Sequence, residues 1–384
     1  MNIAIVTVAY NRIDSLSRLL SSLEHAYYDD HVTLIISVDK SPTNAVETFA
    51  DEYNWPYGQK VVDKHAQNLG LRAHMMSLGK WFNQYDALIV LEDDVVVAES
   101  YYSFAKQAIL KYQHCDTIAG ISLYSYHVNY QTNLPFCPIR DTHDVYFMKC
   151  AMSWGQVWMR DSWYKFYEWY LNHQEFPILK HLPRNICLWG KKSWLKFHIR
   201  YCIENNKYFV YPFCSLSTNF SDAGTHNNGI SPNVFQVPLQ LGTKCKYILP
   251  DYDKKVVRYD GFFENISLYE HFNLSEDELC LDLNGKNGNI EGKRYWLTTK
   301  QCNYRIVKSY GLNYRPIELN ILCNNSGNQI FMYDTFIFQH NKLAINNQSY
   351  LYHYYLYNMV SFIKSYGFKH FFNDIFEIVR RRFR

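Results

Sequence analysis

Residues 87–94 read ALIVLEDD, and the organisation of the first third of the chain is most easily understood from this stretch. Ala87–Leu91 is a continuous apolar run with the length of a buried strand. Glu92, Asp93 and Asp94 follow it directly. Three carboxylates in one turn repel each other unless a cation or hydrogen-bond donors compensate them. The stretch therefore predicts a buried strand that ends at a functional acidic turn.

Strands and helices alternate on both sides of this run. Asn2–Val8 and Val32–Val38 are apolar, β-rich runs, and Lys60–Asp63 is a shorter one. Segments with helical spacing separate or follow them, at Ile13–Leu23, Leu71–Phe82 and Ser100–Tyr112. Strands that alternate with helices predict an α/β fold, in which helices cover both faces of a mostly parallel sheet.

Polar residues stand at the ends of three of the predicted strands. In an open α/β sheet, ligands bind beyond the carboxyl ends of the strands. Thr7–Arg12 lies at the first end, Asp39 at the second, and the acidic turn at the fourth. Hard divalent cations such as Mg²⁺ and Mn²⁺ take oxygen ligands and bridge phosphates. The alternative is a solvated acidic turn, or a cap for the helix that starts near Ser100, but the coincidence of three such ends favours a ligand site.

The pattern becomes irregular from about Asp116. The elements predicted there are helices at Asp161–Asn172 and Ser193–Asn205 and a strand at Val210–Phe213. A turn-rich stretch closes this segment near residue 233, and short apolar runs broken by Asn/Gly clusters follow it. A long helical pattern begins at about Leu351. We predict a catalytic domain over residues 1–235 and a smaller α+β extension over residues 236–384.

Composition limits the class of protein. A net charge of +3 in 384 residues gives no sign of a nucleic-acid partner. The ten cysteines form no CxxC pair and no histidine cluster has zinc spacing, so reduced thiols are expected. A run of ~20 apolar residues, as a spanning helix needs, is not found, and the opening lacks the basic region of a signal peptide. We expect a cytoplasmic location, including the inner face of the cell membrane.

Five segments, in this order, resemble the A-type fold of nucleotide-sugar glycosyltransferases, namely family 2 and the related N-acetylglucosaminyltransferase I group. The segments are IVTVAYNR (5–12), HAQNLGLRAH (65–74), LEDDVVVAESYYSF (91–104), AMSWGQVWMRDSW (151–163) and VYPFCSLSTNFSDAGTH (210–226). The resemblance covers about the first 230 residues. It implies a GT-A fold, a nucleoside-diphosphate-sugar donor, a glycan or lipid-linked acceptor, and Mn²⁺ or Mg²⁺ as cofactor.

The resemblance also implies roles for individual residues. Asp94 would ligate the metal, with His226 as a second ligand. Trp154 and Trp158 would form a platform for the acceptor sugar, with core packing as the alternative. The residues implied in donor binding are Thr7, Ala9, Asn11, Arg12, Asp39, Asn68, Arg72, Glu92 and Asp93.

The catalytic base departs from the family pattern. Relatives often carry Trp-Asp where this chain has Trp194-Leu195, and no Asp or Glu occurs between Glu175 and Glu204. An inverting transfer needs a base within reach of the acceptor hydroxyl. Asp161 and Asp222 are the candidates, with Asp161 preferred, although Asp161 also suits the cap of the following helix.

The resemblance thus implies an inverting, metal-dependent hexosyl- or N-acetylhexosaminyltransferase of cell-surface polysaccharide synthesis. One alternative is a nucleotidyltransferase, but the turn after the first strand, VAYNRIDS (8–15), has no glycines to grip a phosphate. Another is a non-catalytic glycan-binding protein on a transferase fold, which the missing Trp-Asp carboxylate favours.

The end of the chain predicts a membrane contact. Positive charge there comes from Lys364, Lys369 and the terminal arginines. Apolar residues recur among them with helical spacing, at Met359, Phe362, Ile363, Tyr366, Phe368, Phe371, Phe372, Ile375, Phe376 and Val379. A helix of this kind lies in the membrane interface and does not span the bilayer. The alternative is a helix that packs its aromatic stripe on the domain.

Overall fold

The computed structural model describes residues 1–220, 222, 235–253, 255–341, 350–368, 372 and 376. The chain divides into two compact units. The first comprises residues 1–222 together with the described residues up to Asn265, and the second contains the described residues from Ile266 onward.

The first unit is built on a large sheet. Its strands are β1 (Ile3–Ala9), β2 (Thr33–Val38), β3 (Lys60–Lys64), β4 (Ala87–Glu92), β5 (Val95–Val97), β6 (Ile118–Ser122), β7 (Val128–Asn129), β8 (Leu134–Pro135), β9 (Val145–Met148), β10 (Gln156–Met159), β11 (Tyr208–Pro212), β12 (Ser217–Asn219) and β13 (Arg258–Tyr259). Nine of them form the main sheet, in the order β13-β9-β11-β6-β10-β4-β1-β2-β3. The pairs β12-β5 and β7-β8 stand apart from it.

The main sheet is mixed but mostly parallel. β4, β1, β2 and β3 are consecutive parallel neighbours. β10 runs antiparallel to both β4 and β6, so β6 and its parallel partner β11 point the same way as β4. β9 is antiparallel to β11, and β13 is parallel to β9. The predicted α/β fold with a mostly parallel sheet is confirmed.

Seven α-helices are found among the described residues of this unit, and the spacing in the sequence predicted five of them. They are α1 (Ile13–Glu24), α2 (Ala45–Glu52), α3 (Leu71–Ser77), α4 (Tyr101–Tyr112), α5 (Arg160–Leu171), α6 (Arg184–Cys187) and α7 (Leu195–Glu204). The leucines of α1 that share one face in the sequence are all buried, as an amphipathic helix requires. The helix predicted over Leu71–Phe82 is instead α3 followed by a 3-10 helix at Leu78–Asn83.

The sequence understated how far the sheet extends. β11 was predicted, at Val210–Phe213, but β6, β9 and β10 were not, because strands of four or five residues buried on both faces show no alternation of polar and apolar residues. β13 lies beyond the boundary predicted at residue 235, and it pairs with β9 through Arg258 and Tyr259. The first unit therefore extends to Asn265.

The second unit has a sheet and short helices, as an α+β arrangement does. Its elements are α8 (Ser267–Phe272), β14 (Leu279–Asp282), β15 (Tyr295–Thr298), β16 (Tyr304–Tyr310), α9 (Leu319–Leu322), β17 (Ile330–Phe338) and α10 (Tyr350–Tyr366). The sheet order is β14-β15-β17-β16. Asp282 is fully buried on β14 and accepts hydrogen bonds from the Lys300 amine at 2.9 Å and the Asn287 amide at 2.7 Å. These contacts compensate its charge.

α10 carries the predicted helical pattern at the end of the chain. The side chains of residues 356–360 are all exposed. Phe368 and Phe376, beyond the helix, are also exposed. No helix within the described ranges has the length and apolar character needed to cross a bilayer. Lys369 and the terminal arginines lie outside the described residues.

His198 is an unpaired histidine in the core of the first unit. It is 1% exposed on α7, and neither ring nitrogen has a hydrogen-bond partner among the described residues. The ring stacks on Phe166 at a centroid distance of 4.0 Å. Burial lowers the pKa of His198 to about 3. An unfolded histidine has a pKa of ~6.5, so between these values the unfolded chain binds a proton that the native protein does not.

Because of this difference, His198 should lower the free energy of unfolding as the pH falls from about 6.5 towards 3. We expect His198→Leu to flatten that dependence by up to ~1.4 kcal/mol per pH unit. Urea unfolding at pH 7, 5.5 and 4.5 measures the slope of the free energy of unfolding against pH. A cost of repacking the core around Leu lowers the free energy of unfolding equally at each pH and leaves this slope unchanged. His25→Leu, at an exposed position of α1's C-terminus, is the matched control. If the His198→Leu variant keeps the slope of the wild type, His198 is not the source of this pH dependence.

Candidate active site at the carboxyl edge of the sheet

The acidic turn and the turn after β1 lie side by side. β1 and β4 are parallel neighbours with Val8 opposite Glu92, so both strands end on the same side of the sheet, here called the carboxyl edge. Glu92 is the last residue of β4, and the Asp93 amide donates to the Val8 carbonyl at 3.1 Å. Arg12 stands at the start of α1, directly after the β1 turn. The three carboxylates and one guanidinium therefore converge at this edge.

Arg12 joins two of the carboxylates. Its guanidinium forms an ion pair with Asp93, where Nε donates to Oδ2 at 3.3 Å, and it lies 3.3 Å from Asp94 Oδ2. Burial alone would lower the pKa of Arg12, but the two aspartates raise it above its usual range. Arg12 is therefore a fixed positive charge that holds Asp93 and Asp94 in place.

One guanidinium does not neutralise the cluster. Burial raises the pKa of Asp93 to about 7, although Arg12 opposes the shift. Burial also raises the pKa of Glu92, and the charges of Asp94 and Asp93 raise it further, while Arg12 and a hydrogen bond from Trp194 act in the opposite direction. Both carboxyl groups therefore hold protons at higher pH than isolated ones, which is the behaviour of a site with excess negative charge.

Asp94 has the atom best suited to a ligand. Its Oδ1 is buried and has no hydrogen-bond partner among the described residues, whereas its Oδ2 faces Arg12. Buried polar atoms are normally paired, so an unpaired carboxylate oxygen indicates a missing partner. A cation or a donor group of a substrate would fill that place.

Among the described residues, Asp94 and its neighbours would hold a divalent cation only together with further ligands, such as those of a substrate. Within the described ranges, no three His, Cys, Asp or Glu side chains are grouped so that they could hold a metal ion. Mg²⁺-type ions are commonly bound by one or two carboxylates plus substrate phosphates, and Asp94 can supply such a carboxylate. His226, predicted as a second ligand, lies outside the described residues.

Asp222 belongs to the same neighbourhood. Its Oδ2 accepts a hydrogen bond from Ser15 Oγ at 2.6 Å and forms an ion pair with Arg18, both on α1. The charge of Asp222 also contributes to the raised pKa of Asp93. Asp222 therefore stays a candidate base, held near the acidic turn by α1.

Asp39 and Asn68 are used within the chain. Asp39 is buried, and it accepts hydrogen bonds from the amides of Lys40, Leu69 and Gly70 at 2.8–2.9 Å. The Asn68 amide donates to Asp39 Oδ2 at 3.3 Å and to the Lys40 carbonyl at 2.9 Å. These four bonds use the acceptor positions of the Asp39 carboxylate. Asp39 therefore fixes the loop that enters α3, and its predicted contact with a nucleotide base stays a prediction.

The β1 residues differ in what they can reach. Thr7 is fully buried inside β1, and its predicted donor contact stays a prediction. Ala9 ends β1, and its carbonyl accepts from the Asp39 amide at 2.9 Å. Asn11 is exposed in the turn before α1. Of the three, Asn11 has a side chain accessible to a ligand at the carboxyl edge.

Asp161 lies at the wrong end of the sheet for the predicted role. β10 is antiparallel to β4, with Met159 opposite Ala87, so it ends where β4 begins. Asp161 follows in the first turn of α5, where it is exposed. The length of β4 separates it from Glu92, which excludes Asp161 as a base for a reaction at the carboxyl edge. It is also not the helix cap, because that position belongs to Met159.

The two tryptophans predicted to bind an acceptor, Trp154 and Trp158, lie in different surroundings because β10 runs antiparallel to β4. Trp158 is 1% exposed and stacks on Trp163 at a centroid distance of 4.1 Å, so it is a core residue and its acceptor role is wrong. Trp154 precedes β10 and lies on the carboxyl-edge side, half-buried against Tyr124. Its carbonyl accepts from Ser217 Oγ at 2.6 Å. An acceptor role for Trp154 stays a prediction.

Two residues at this edge had no assigned role in the sequence. Trp194 donates a hydrogen bond to Glu92, and Lys196 follows it in the first turn of α7. Arg72 donates to the Tyr170 hydroxyl at 2.7 Å and lies on the α5–α7 side of the edge, and its predicted contact with donor phosphate stays a prediction. Only the path of the chain over the sheet brings these residues together.

No protein-family model and no curated protein matches the chain. Solved structures that match include GalNAc-T7 with UDP, GalNAc and Mn²⁺ (15% identity, 56% of this chain and 43% of that chain, TM-score 0.38) and S. aureus TarS (13%, 55% and 35%, 0.37). The mannosyltransferase PcManGT from Pyrobaculum calidifontis, with GDP-Man and Mn²⁺, also matches (10%, 55% and 56%, 0.34). This chain thus matches 35–56% of the length of these three. Its function has to be inferred from the site itself.

Proposed function

We propose that the protein is a glycosyltransferase that uses a nucleoside-diphosphate sugar and acts at the carboxyl edge. The observation that carries the proposal is the unpaired, buried Oδ1 of Asp94 beside the carboxyls of Glu92 and Asp93. A diphosphate with its divalent cation would complete such a site, because the cation offsets the excess negative charge and bridges phosphate oxygens.

The chain's own residues would divide the work in a simple way. Arg12 orients Asp93 and Asp94. The N-terminus of α1, beyond the exposed Asn11, favours an anion such as a diphosphate, because the first amides of a helix point towards it. Asp94 would be a ligand of Mg²⁺ or Mn²⁺, which when bound would stabilise the leaving diphosphate as a Lewis acid.

Glu92 is the candidate acid of the site, and Asp222 is the candidate base. Burial and the charges of Asp94 and Asp93 raise the pKa of Glu92, so where no cation lowers that pKa, a protonated Glu92 would donate a hydrogen bond to a sugar hydroxyl. Asp222 would be the base for the acceptor hydroxyl. Inversion at the anomeric carbon, a glycan or lipid-linked acceptor and a place in polysaccharide synthesis are supported by the resemblance of the five sequence segments.

A panel of nucleotide sugars tests the proposal. The full chain is incubated with each donor in the presence of Mn²⁺, Mg²⁺ or EDTA, and released nucleotide and product masses are measured. Release of a nucleoside diphosphate, abolished by EDTA, supports the transferase. Release of pyrophosphate from a sugar phosphate and a nucleoside triphosphate would identify a nucleotidyltransferase instead. The absence of both turnover and nucleotide binding would favour a non-catalytic glycan-binding protein.

The chain end is proposed to bind an anionic membrane. Phe368 and Phe376 are 65% and 76% exposed, and the surrounding sequence supplies Lys364, Lys369 and the terminal arginines. Each basic residue near an anionic surface contributes ~1 kcal/mol. Such a contact would bring the active site to a lipid-linked acceptor.

We expect the full chain to co-sediment with phosphatidylserine vesicles, and a version that ends at Gly367 to lose most of this binding. Removing Lys369 and the four terminal arginines should weaken partition at least tenfold, because their contributions of ~1 kcal/mol each add. Neutral phosphatidylcholine vesicles are the control for charge. Equal binding of the two versions to anionic vesicles would refute the membrane contact.

A further inference from the structure

Two cationic side chains meet on the α5–α7 side of the carboxyl edge. β3 runs parallel to β2, so the loop after it returns to this edge and leads into α3 with Arg72. α7 precedes β11, which points the same way as β4, so α7 begins at this edge with Lys196 in its first turn. Arg72 and Lys196 are called the cation pair below.

Arg72 is fixed by neutral groups. Its Nε donates to the Tyr170 hydroxyl at 2.7 Å, and one of its terminal nitrogens donates to Gln174 Oε1 at 3.0 Å. The guanidinium carbon lies 4.1 Å from the centroid of the Phe197 ring. Cation–π contacts of this kind orient a charge without neutralising it.

Lys196 is held in the same way. The residue is only 5% exposed, and its amine donates to the Trp189 carbonyl at 3.1 Å. The amine lies 5.5 Å from the centroid of the Phe197 ring and 4.9 Å from that of Phe176. Burial lowers the pKa of Lys196, and the charge of Arg72 lowers it further. The two cations therefore sense each other across one aromatic ring.

The cation pair differs from Arg12 in having no counter-charge. In the part of the chain that the structure describes, neither Arg72 nor Lys196 has a carboxylate at ion-pair distance, and their partners are a hydroxyl, an amide, a carbonyl and ring faces. Their distances to the shared ring put them within about 10 Å of each other, comparable to the ~10 Å Debye length at 0.1 M salt. Two partly buried like charges repel unless an anion lies between them.

We propose that the cation pair binds a phosphate group carried by the acceptor substrate. A phosphate monoester dianion matches two positive charges, and the Arg fork suits phosphate oxygens. Trp194, which donates to Glu92, is two residues before Lys196, so the pair lies beside the acidic turn. The donor diphosphate is assigned above to Asp94 and the start of α1, which leaves the cation pair for the acceptor. The acceptor part of this assignment depends on the proposed glycosyltransferase function.

Calorimetric titration of the full chain with phenyl phosphate, with and without saturating UDP, tests the pair. We expect binding in both conditions, and none of phenyl glucoside, its uncharged counterpart. Arg72→Gln and Lys196→Gln should each raise the Kd for phenyl phosphate at least tenfold and change the Kd for UDP less than twofold. Lys192→Gln removes the same charge from the exposed stretch just before α7, and it should leave both constants unchanged.

The opposite results separate the two proposals. Unchanged phenyl phosphate binding in both variants, or no binding by the wild type, overturns the phosphate site. Competition between phenyl phosphate and UDP, together with weaker UDP binding in the variants, would assign the cation pair to the donor. That result would also overturn the proposal of an acceptor phosphate site. Arg72→Lys keeps the charge and guards against a folding defect, and it should bind more tightly than Arg72→Gln. Phenyl phosphate binding without any nucleotide-sugar turnover would count against the transferase alone.

Discussion

Replacing Asp94 with Asn should lower the rate of nucleotide-sugar turnover by about 10²–10³-fold, the usual effect of removing one charge-stabilising group from a reaction site. Asn keeps the shape of the side chain and one oxygen, but it removes the negative charge of the unpaired Oδ1. Initial rates with Mn²⁺ over a range of donor concentrations measure the effect. Most of the loss should appear in kcat, because the charge on the leaving diphosphate grows towards the transition state.

The matched control is Asp161→Asn, the same chemical change at the opposite end of the sheet. It should leave turnover within about twofold of the wild type, since exposed substitutions away from a site have small effects. The thermal unfolding midpoints of both variants show whether the fold is kept. Near wild-type turnover in Asp94→Asn would remove the central residue of the proposed function.

Replacing Arg12 with Met should destabilise the first unit by about 3–5 kcal/mol at pH 8, because it leaves the buried Asp93 without its counter-charge. Asp93 is only 5% exposed, and its pKa is already raised to about 7. Without Arg12 that pKa rises further, so Asp93 is neutral at pH 6 and the loss is smaller there. Urea unfolding at the two pH values measures both the size and the sign of this dependence.

The double variant Arg12→Met/Asp93→Asn should regain most of the loss, since a neutral pair leaves no uncompensated charge. Lys165→Met is the control, because Lys165 pairs with Asp116 on the surface with both side chains more than half exposed. Such pairs contribute ~0–1 kcal/mol. If Arg12→Met lowers the free energy of unfolding no more than Lys165→Met does, the ion pair between Arg12 and Asp93 does not stabilise the acidic turn.

The raised pKa values of Asp93 and Glu92 make the wild type itself sensitive to pH. Unfolded carboxyl groups have pKa values near 4, so between about pH 4 and 8 the native state binds protons that the unfolded chain has released. The contribution of these two carboxyl groups to the free energy of unfolding therefore falls as the pH rises through this window, opposite in sign to that of His198. A bound cation would reverse the effect, because it favours the ionised carboxylates.

The part of the site that follows from single strands was predictable from the sequence. The stretch ALIVLEDD was interpretable without the rest of the chain, because a continuous apolar run can only be a buried element. The carboxylates must then stand at the end of that element. The four leucines on one face of α1 identify that helix in the same way. Parallel strands end on one side of a sheet, so Arg12 and Asp94 were expected to meet.

What depends on strand direction was not predictable. Gln156–Met159 carries no local signal that it runs against its neighbours, yet this reversal puts Asp161 at the wrong end and Trp158 in the core. The cation pair has a similar origin, since Arg72 and Lys196 are 124 positions apart in the sequence. They meet only because two different crossovers return to the same edge of the sheet.

The four-residue length of β10 has a practical consequence for anyone who modifies this protein. A segment inserted just before Gln156 would emerge beside the carboxyl edge, where it could carry new contacts to the proposed acceptor. The same segment inserted after Met159 would emerge on the far side, where it could carry a label or a surface attachment without entering the site. Two insertion points only a few residues apart thus offer opposite uses, one for changing contacts at the proposed site and one for immobilising the protein.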